Sequence, residues 1–310
     1  MNHVDTQKHN LHKTLLTWYR HNARDLPWRT TNDPYAILVS EVMLQQTQVA
    51  RVIPKYHQFL QRFPSFSALA KSPRSEVIRV WAPLGYNVRA VYLHELAQQV
   101  VHIYDGQLPR EVAELRRLRG LGRYTAAAIA SLAYGKDVAV VDTNVRRILT
   151  RLFTRNANLR ENEIWGLAET IAPSGRTASW NQALMDLGAT VCLKSRPDCN
   201  LCPLKPYCRT AHVLEGDGNN LAGSTTKPVG KRQPRFQNSN RYYRGRIVDL
   251  LRRAKTGQGL TLRELGNTLL PDFGSEHIAW LEQVILGLER DGLTRMNTGT
   301  FSKDSVITLA

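Results

Sequence analysis

The cysteines of this 310-residue chain all lie in one short segment, as Cys192, Cys199, Cys202 and Cys208, separated by six, two and five residues. Disulfides between residues so close together would close very small, strained loops, whereas four soft thiolates in one segment suit a metal centre. Cysteine-ligated zinc sites usually contain two Cys-x2-Cys pairs, but here only Cys199 and Cys202 form one. The spacing therefore leaves a zinc ion and a [4Fe-4S] cluster equally open.

The chain is strongly basic, with a formal net charge of +16. A polyanionic partner is expected, because cationic side chains that contact phosphates release counterions. No apolar run approaches the ~20 residues of a membrane-spanning helix, and the N terminus lacks the pattern of a signal peptide. The sequence thus favours nucleic acid over a membrane as the partner. It also favours the reducing cytoplasm, in association with the nucleoid, as the location.

Amphipathic helical patterns follow one another from about residue 8 to residue 212. Asp33 and Pro34 predict the start of one helix, on which Ile37, Leu38, Glu41, Leu44 and Gln45 are expected to share a face. Because alternating strand patterns are scarce, the core is predicted to be all-α. Further helices are predicted over residues 76–81, 90–104, 110–118, 125–133, 144–153, 164–171 and 181–187.

The character of the sequence changes after the cysteines. Residues 214–240 contain few apolar side chains and are predicted to form a flexible basic linker. Residues 241–310 carry the apolar stripes of three helices, one of them opened by the capping-box pair Thr261 and Glu264, and a strand over residues 306–309. This pattern predicts a small winged-helix-like α+β module. Phosphate contacts are expected from its arginines at positions 241, 244, 246, 252 and 253.

Gly120 and Gly122 separate two helical patterns. Glycines let a chain turn sharply and bring backbone N–H groups against a phosphate at the start of the next helix, although a plain interhelical turn is the commoner meaning. Lys194 and Arg196 lie between the first two cysteines, where cations can reach phosphate oxygens. Ordinary solvated charge is the alternative for both side chains.

Two carboxyl groups are predicted to have pKa values shifted in opposite directions. Asp142 follows an apolar run and precedes a helical pattern, which predicts an N-cap whose carboxylate is kept ionised, at a low pKa, by the first N–H groups. Glu41 lies on an apolar helix face, where burial should raise its pKa unless an arginine pairs with it. A protonated carboxyl and an ionised one are the two groups that cleavage of an N-glycosidic bond uses.

Five segments extend this pattern: Leu26-Pro-Trp-Arg29, Ser40-Glu-Val-Met-Leu-Gln-Gln-Thr-Gln-Val49, Leu84-Gly-Tyr86, Asp142-x-Asn144-Val-x-Arg147, and Met185-Asp-Leu-Gly-Ala189 with the cysteines that follow. Together they resemble the MutY-type adenine DNA glycosylases of the endonuclease III superfamily, over roughly residues 12–210. The resemblance implies an all-α helix-hairpin-helix glycosylase domain over residues 1–213. It also implies a [4Fe-4S] cluster, rather than zinc, held by the four cysteines in residues 192–208.

The same resemblance implies a role for each matching residue. Glu41 would protonate adenine at N7, Asp142 would stabilise the oxocarbenium ion or its covalent successor, and Asn144 would help to hold the catalytic geometry. Gln45 would wedge into the duplex beside the flipped nucleotide. Tyr86 would intercalate in the opposite strand, next to the orphan base.

Tyr124 bears on the reaction type. Bifunctional relatives such as endonuclease III have a lysine at the matching position, whose amine forms a Schiff base with the sugar. A phenol cannot do so, and the chain therefore resembles the monofunctional branch, which uses water and leaves an abasic site. The Gly120 and Gly122 turn corresponds to the DNA-binding hairpin of the same superfamily.

Three departures from the family pattern are visible: Asn87 replaces a second aromatic, Thr143 replaces a small residue, and the C-terminal region lacks a Nudix-like strand pattern. The leading hypothesis is a monomeric adenine glycosylase of base excision repair, acting on adenine opposite guanine or 8-oxoguanine in double-stranded DNA. A thymine or uracil mismatch glycosylase of the same fold is the nearer alternative. A non-catalytic iron-sulfur DNA-binding sensor is the other, although it would need neither Glu41 nor Asp142.

Overall fold

In a computed structural model of the chain, residues 3–154, 159–211, 236–255, 257–297, 302 and 304–310 are described, with side chains from Thr6 onward. The helices up to the cysteine segment are α1 (His3–Asn22), α2 (Pro34–Leu44), α3 (Val49–Arg62), α4 (Phe66–Lys71), α5 (Arg74–Trp81), α6 (Val88–Ile103), α7 (Val112–Leu115), α8 (Arg123–Leu132), α9 (Thr143–Phe153), α10 (Glu161–Ile171) and α11 (Thr177–Thr190). Beyond it lie α12 (Asn240–Arg253), β1 (Leu260–Thr261), α13 (Leu262–Leu269), α14 (Ile278–Arg290), β2 (Thr294–Met296) and β3 (Val306–Leu309). The all-α core and the C-terminal strand predicted from the sequence are confirmed.

Two helix starts follow from local hydrogen bonds that the sequence predicted. The backbone N–H of Tyr35 donates to Asp33 Oδ1 at 2.9 Å, so Asp33 caps α2. At the start of α13, the N–H of Glu264 donates to Thr261 Oγ1 at 3.1 Å, and the N–H of Thr261 donates to Glu264 Oε2 at 2.7 Å. These reciprocal bonds satisfy donors that the first turn of a helix leaves without partners.

Two predicted helices are shorter than expected. Helix α2 ends at Leu44, and Gln46 has a left-handed φ of 55°, so Gln45 lies in the turn after the helix and does not share its face with Glu41. The helix predicted over residues 110–118 contracts to α7, because the chain turns before Gly120, whose φ is 83°. Helix α2 thus stops just before a left-handed residue, which a helix cannot incorporate.

The chain divides into two compact units. The first comprises the described parts of Met1–Leu38, Arg110–Arg117 and Leu121–Val229, and the second those of Val39–Pro109, Leu118–Gly120 and Gly230–Ala310. The core of the first unit is formed by apolar side chains of α1, α8, α9, α10 and α11, among them Trp180. In the second unit, the C-terminal helices and sheet share an apolar core with α5 and α6.

The C-terminal sheet is antiparallel, in the order β1-β3-β2. Leu260 pairs with Ile307 and Thr294 pairs with Leu309, and alternate residues of β3 face the core. This sheet and the helices α12, α13 and α14 form a winged-helix-like module, in the chain order α12, β1, α13, α14, β2 and β3. The predicted linker, residues 214–240, lies mostly outside the described residues, and the domain limits 1–213 and 241–310 stay predictions. No helix in the described part of the chain is long and apolar enough to cross a membrane.

Candidate functional site

Asp142 caps the N terminus of α9, as the sequence predicted. Its Oδ1 accepts a hydrogen bond from the backbone N–H of Val145 at 2.6 Å, and its Oδ2 accepts one from Asn144 Nδ2 at 3.3 Å. Each oxygen of the carboxylate therefore has a donor within the first turn of the helix. This fixes the direction in which the carboxylate faces.

The low pKa predicted for Asp142 is wrong. Burial raises the pKa of this carboxyl above its ordinary value, and the hydrogen bonds from Val145 and Asn144 with the charge of Arg147 only partly offset it. The sequence argument counted the N–H donors at the helix start, but not the loss of water that the rest of the fold imposes. Asp142 consequently takes up a proton at a higher pH than an exposed aspartate does.

Arg147 connects the Asp142 turn with the beginning of the cysteine segment. Its Nη2 donates to Asn144 Oδ1 at 2.9 Å and to the backbone oxygen of Gly188 at 2.7 Å, and its Nε donates to the backbone oxygen of Cys192 at 2.9 Å. A Cβ on Gly188 would lie 2.6 Å from Asn144 Cβ, so only glycine allows this approach. One arginine thus ties the residue that hydrogen-bonds Asp142 to a candidate metal ligand.

The four cysteines line one cavity, together with Arg151. Arg151 Nη1 donates to Cys192 Sγ at 3.3 Å, and the backbone oxygen of Arg151 accepts from Cys208 Sγ at 3.4 Å. Burial raises the pKa of the Cys202 thiol to about 11. Among the described residues, no three Cys, His, Asp or Glu side chains are arranged to hold a single metal ion. The fold thus places all four candidate ligands around one cavity.

Glu41 lies in the third turn of α2 and is 5% exposed. Ile37, Leu38 and Val42 of the same helix are also buried, so the burial predicted for this carboxyl is present. Burial in apolar surroundings disfavours the ionised form of a carboxyl group. The setting is therefore suited to a proton donor, and the catalytic role of Glu41 stays a prediction.

Arg89 holds the turns that carry Gln45 and Tyr86. Its Nη1 donates to the backbone oxygens of Met43 and Gln45, at 3.0 and 2.6 Å, and its Nη2 donates to Thr47 Oγ1 at 3.1 Å. The same guanidinium lies over the ring of Tyr86, 5.6 Å from its centroid. Burial lowers the pKa of Arg89 to about 10. Sequence reasoning missed this residue, because its partners are backbone oxygens that no motif displays.

The Gly120 turn and the start of α8 have the geometry of a hairpin. Gly120 has a left-handed φ of 83°, and a Cβ there would lie 3.1 Å from Tyr92 Cβ, so the turn requires glycine. Gly122 has extended backbone and is the N-cap residue of α8, whose first N–H groups extend from it. Tyr124 follows in the first turn of α8 and packs against the core of the first unit.

The structure brings some predicted site residues together and leaves others apart. Within the first unit, hydrogen bonds join Asp142, Asn144 and the cysteine segment. Within the second unit, Arg89 joins Gln45 and Tyr86, through a hydrogen bond to the backbone of Gln45 and a cation–π contact with the ring of Tyr86. Lys194 and Arg196 are exposed, as phosphate contacts must be. Glu41 and Asp142 belong to different compact units.

A buried carboxylate that the sequence argument left without a role is Asp186, in α11. Arg29 donates from Nη1 to Asp186 Oδ2 at 2.6 Å and from Nη2 to Oδ1 at 2.7 Å, and Arg24 Nε donates to Oδ1 at 2.6 Å. Burial opposes the ionisation of Asp186, but these hydrogen bonds and charges outweigh it and lower the pKa. The carboxylate thereby attaches the Leu26-Pro-Trp-Arg29 segment to α11.

Comparison with known proteins adds an independent finding. The model of the HhH-GPD superfamily of base excision DNA repair proteins matches residues 39–171. The adenine DNA glycosylase of Mycolicibacterium smegmatis is 41% identical over 245 residues, which are 78% of this chain and 80% of that protein. That of Buchnera aphidicola is 41% identical over 202 residues, which are 64% of this chain. The chain spans 58% of the length of the Buchnera protein.

Among solved structures, that of a thermostable thymine-DNA glycosylase is similar to this chain, with a TM-score of 0.65 and 35% sequence identity. The similarity covers 68% of this chain and 100% of the solved one. The segment matched by the superfamily model contains Glu41, Gln45, Tyr86, Tyr124 and Asp142.

Proposed function

Because this chain belongs to the adenine DNA glycosylase family, within the HhH-GPD superfamily of base excision DNA repair proteins, we propose that it hydrolyses the N-glycosidic bond of mispaired adenine in duplex DNA. The helix-hairpin-helix glycosylase fold expected from the sequence is confirmed. The observation that carries the proposed reaction is the setting of Asp142. A carboxylate whose oxygens are fixed by Val145 N–H and Asn144 is preorganised to stabilise positive charge on a sugar.

In the proposed reaction, Glu41 donates a proton to N7 of adenine. The bond between C1′ and N9 then breaks, and its electron pair leaves with the protonated base. The carboxylate of Asp142 stabilises the cationic sugar until water adds to C1′ and loses a proton. Tyr124 offers no amine for a Schiff base, so the products are free adenine and an abasic site.

The remaining predicted residues supply contacts to DNA. Gln45 and Tyr86 enter the duplex on the two strands, and Tyr86 is suited to this because the residue is 53% exposed. Backbone N–H groups at Gly120 and Gly122 and the exposed cations Lys194 and Arg196 contact phosphates. The base opposite the target adenine is guanine or 8-oxoguanine, and the enzyme acts on chromosomal DNA in the cytoplasm.

In the proposed enzyme, Cys192, Cys199, Cys202 and Cys208 hold a [4Fe-4S] cluster. The cavity that the four cysteines share supports this assignment. The cluster would cross-link the segment after α11 and supply folding energy there. Through Arg147, the segment that holds it also supports the residue that hydrogen-bonds Asp142.

Replacing one ligand should remove the metal. The purified protein is expected to be brown, with absorption near ~400 nm and bound iron, since thiolates favour iron-sulfur centres. We expect Cys202→Ser to lose iron and to lower both the thermal unfolding temperature and DNA affinity, whereas the exposed neighbour Ser195→Ala should change neither. Elemental analysis with calorimetry checks this. A colourless, fully folded protein with one zinc ion per chain would contradict the cluster.

The pH dependence of base release tests the state of Asp142. Its ionised form is the active one, so activity should fall as the pH drops through its raised pKa. Asn144→Ala removes a donor that favours the carboxylate, and the acid limb of the single-turnover rate profile should move to higher pH. Thr143→Ala, at the exposed neighbouring position, is the control. A rate reduced equally at every pH would show that Asn144 does not act through this pKa.

A second candidate function is removal of thymine or uracil, because the similar solved structure is that of a thymine-DNA glycosylase. Single-turnover base release from duplexes with A·G, A·8-oxoguanine, A·C, T·G and U·G pairs separates the two. Release of adenine alone, without a borohydride-trapped adduct, is the expected result. Release of thymine or uracil would support the second function, and binding without any release would indicate a DNA sensor.

A further inference from the structure

The C-terminal module is built onto the glycosylase helices α5 and α6. Ile78 of α5 and Val91 of α6 are 0% and 1% exposed, and both belong to one apolar cluster with the module. The members from the module include Ile247, Val248 and Leu251 of α12, Leu265, Leu281, Leu288 and Ile307. The module therefore covers the face formed by these two helices, which flank the turn that carries Tyr86.

Arg252, near the end of α12, bonds with both helices in this contact. Its Nε donates to the backbone oxygen of Ile78 at 3.0 Å, and its Nη2 donates to Asn87 Oδ1 at 2.8 Å. Arg79 in turn donates to the backbone oxygen of Arg252. The side chain of Arg252 is only 9% exposed, so it does not make the phosphate contact that the sequence suggested. Arg244 is likewise engaged, in a salt bridge with Asp291.

Asn87 lies directly after Tyr86, at the N-cap position of α6, and its side chain makes no capping hydrogen bond to that helix. Tyr86 has a left-handed φ of 44°, a conformation that is costly for a residue with a side chain and needs support from its surroundings. One support is Arg89, whose N–H donates to the backbone oxygen of Tyr86 at 3.0 Å. The other is the bond from Arg252 to Asn87. Asn87, which stands where the related family pattern has a second aromatic, supplies the amide oxygen that accepts this bond.

We infer that Arg252 is a positioning residue, through which the C-terminal module holds Asn87 and thereby sets how Tyr86 meets the strand opposite the target base. The inference rests on the proposed function, in which Tyr86 inserts next to the opposing base. The module would then influence the choice of opposing base without touching that base. Its contribution would differ from a phosphate contact, which adds affinity for every duplex alike.

The test is a set of full-length variants: Arg252→Met, Asn87→Ala and the double variant. Arg252→Met keeps the aliphatic packing and removes the donors, and Asn87→Ala removes the acceptor from the other side. Arg253→Met is the matched control, because it removes the same charge from the exposed neighbouring position. For duplexes with adenine opposite guanine, 8-oxoguanine or cytosine, dissociation constants and single-turnover rates are measured. A 2-aminopurine beside the opposing base reports stacking by Tyr86.

We expect Arg252→Met and Asn87→Ala each to reduce discrimination among opposing bases by about threefold to tenfold and to change the 2-aminopurine signal. The double variant should discriminate no worse than Arg252→Met alone, because Asn87→Ala removes a bond that Arg252→Met has already broken. In a Tyr86→Ala background, Arg252→Met should not alter discrimination further. Arg253→Met should leave discrimination unchanged and at most weaken binding to all duplexes equally.

Three results would overturn the inference: an equal loss of affinity for every duplex, an effect that persists in the Tyr86→Ala background, or a lower unfolding temperature with unchanged discrimination. If Arg252→Met does not fold, discrimination by Asn87→Ala alone tests the inference, because this variant also removes the hydrogen bond between Arg252 and Asn87. Failure of the wild-type protein to release any base would overturn the proposed function. An active wild type whose variants discriminate normally would overturn only the role of Arg252.

Discussion

Asp142→Asn is expected to reduce base release by about 100- to 1,000-fold and to leave duplex binding intact, because a neutral amide keeps the shape but not the charge that stabilises the sugar cation. Asp33→Asn is a matched control. Asp33 also caps a helix, through the N–H of Tyr35, and asparagine is as good a cap as aspartate. Capping alone would give two equally small effects, so the difference between the variants isolates the charge of Asp142.

Glu41→Gln tests the other carboxyl. It removes the proton donor in a buried position, and we expect a loss of about 100- to 10,000-fold in single-turnover base release. Binding to an adenine mismatch should persist, as measured by fluorescence anisotropy. A parallel loss of binding and release in either variant would instead indicate a structural role for that carboxyl.

Asp186→Asn is expected to be the most destabilising single change among the pairs described. Asp186 is fully buried between Arg24 and Arg29, whose side chains are 30% and 11% exposed. Removing its charge leaves two guanidinium groups without their anion, at a cost of about 3–5 kcal/mol in the free energy of unfolding. Urea unfolding measures this. The exposed pair of Arg160 and Glu163 is the contrast, because Glu163→Gln should lower the free energy of unfolding far less than Asp186→Asn does.

The pH dependence of stability gives a second readout for Asp186. Because its pKa is lowered by folding, its contribution is present above the pKa of the unfolded carboxyl and is lost as the pH falls through the lowered folded value. The difference in stability between wild type and Asp186→Asn should therefore shrink in acid. A difference that is constant with pH would mean that packing, rather than charge, explains the loss.

Features that depend on a few consecutive residues were predictable from the sequence. The cap at Asp142 depends on Val145, three residues later, and the capping box joins Thr261 to Glu264. The cysteine segment is similarly local, and the turn at Gly120 follows from its glycine. In each case a short stretch of chain determines the geometry, whatever the rest of the fold does.

Features that depend on distant partners were not predictable. Arg89 bonds with the end of α2, Arg147 bonds with Gly188, and Asp186 bonds with Arg29, and each pair is far apart in the chain. The same limit explains the wrong pKa for Asp142. Its hydrogen-bond donors are neighbours in sequence, but the side chains that exclude water from it are contributed by the fold as a whole.

The apolar cluster that joins Ile78 and Val91 to the C-terminal helices also has a consequence for biosynthesis. These two side chains leave the ribosome long before Leu288 and Ile307, by roughly ten seconds or more at about 5–20 residues per second. During that interval the face of α5 and α6 that the module will cover is exposed to solvent. The second unit can complete its core only after Ile307 and Leu309 have emerged, and until then the apolar side chains of α5 and α6 lack these partners.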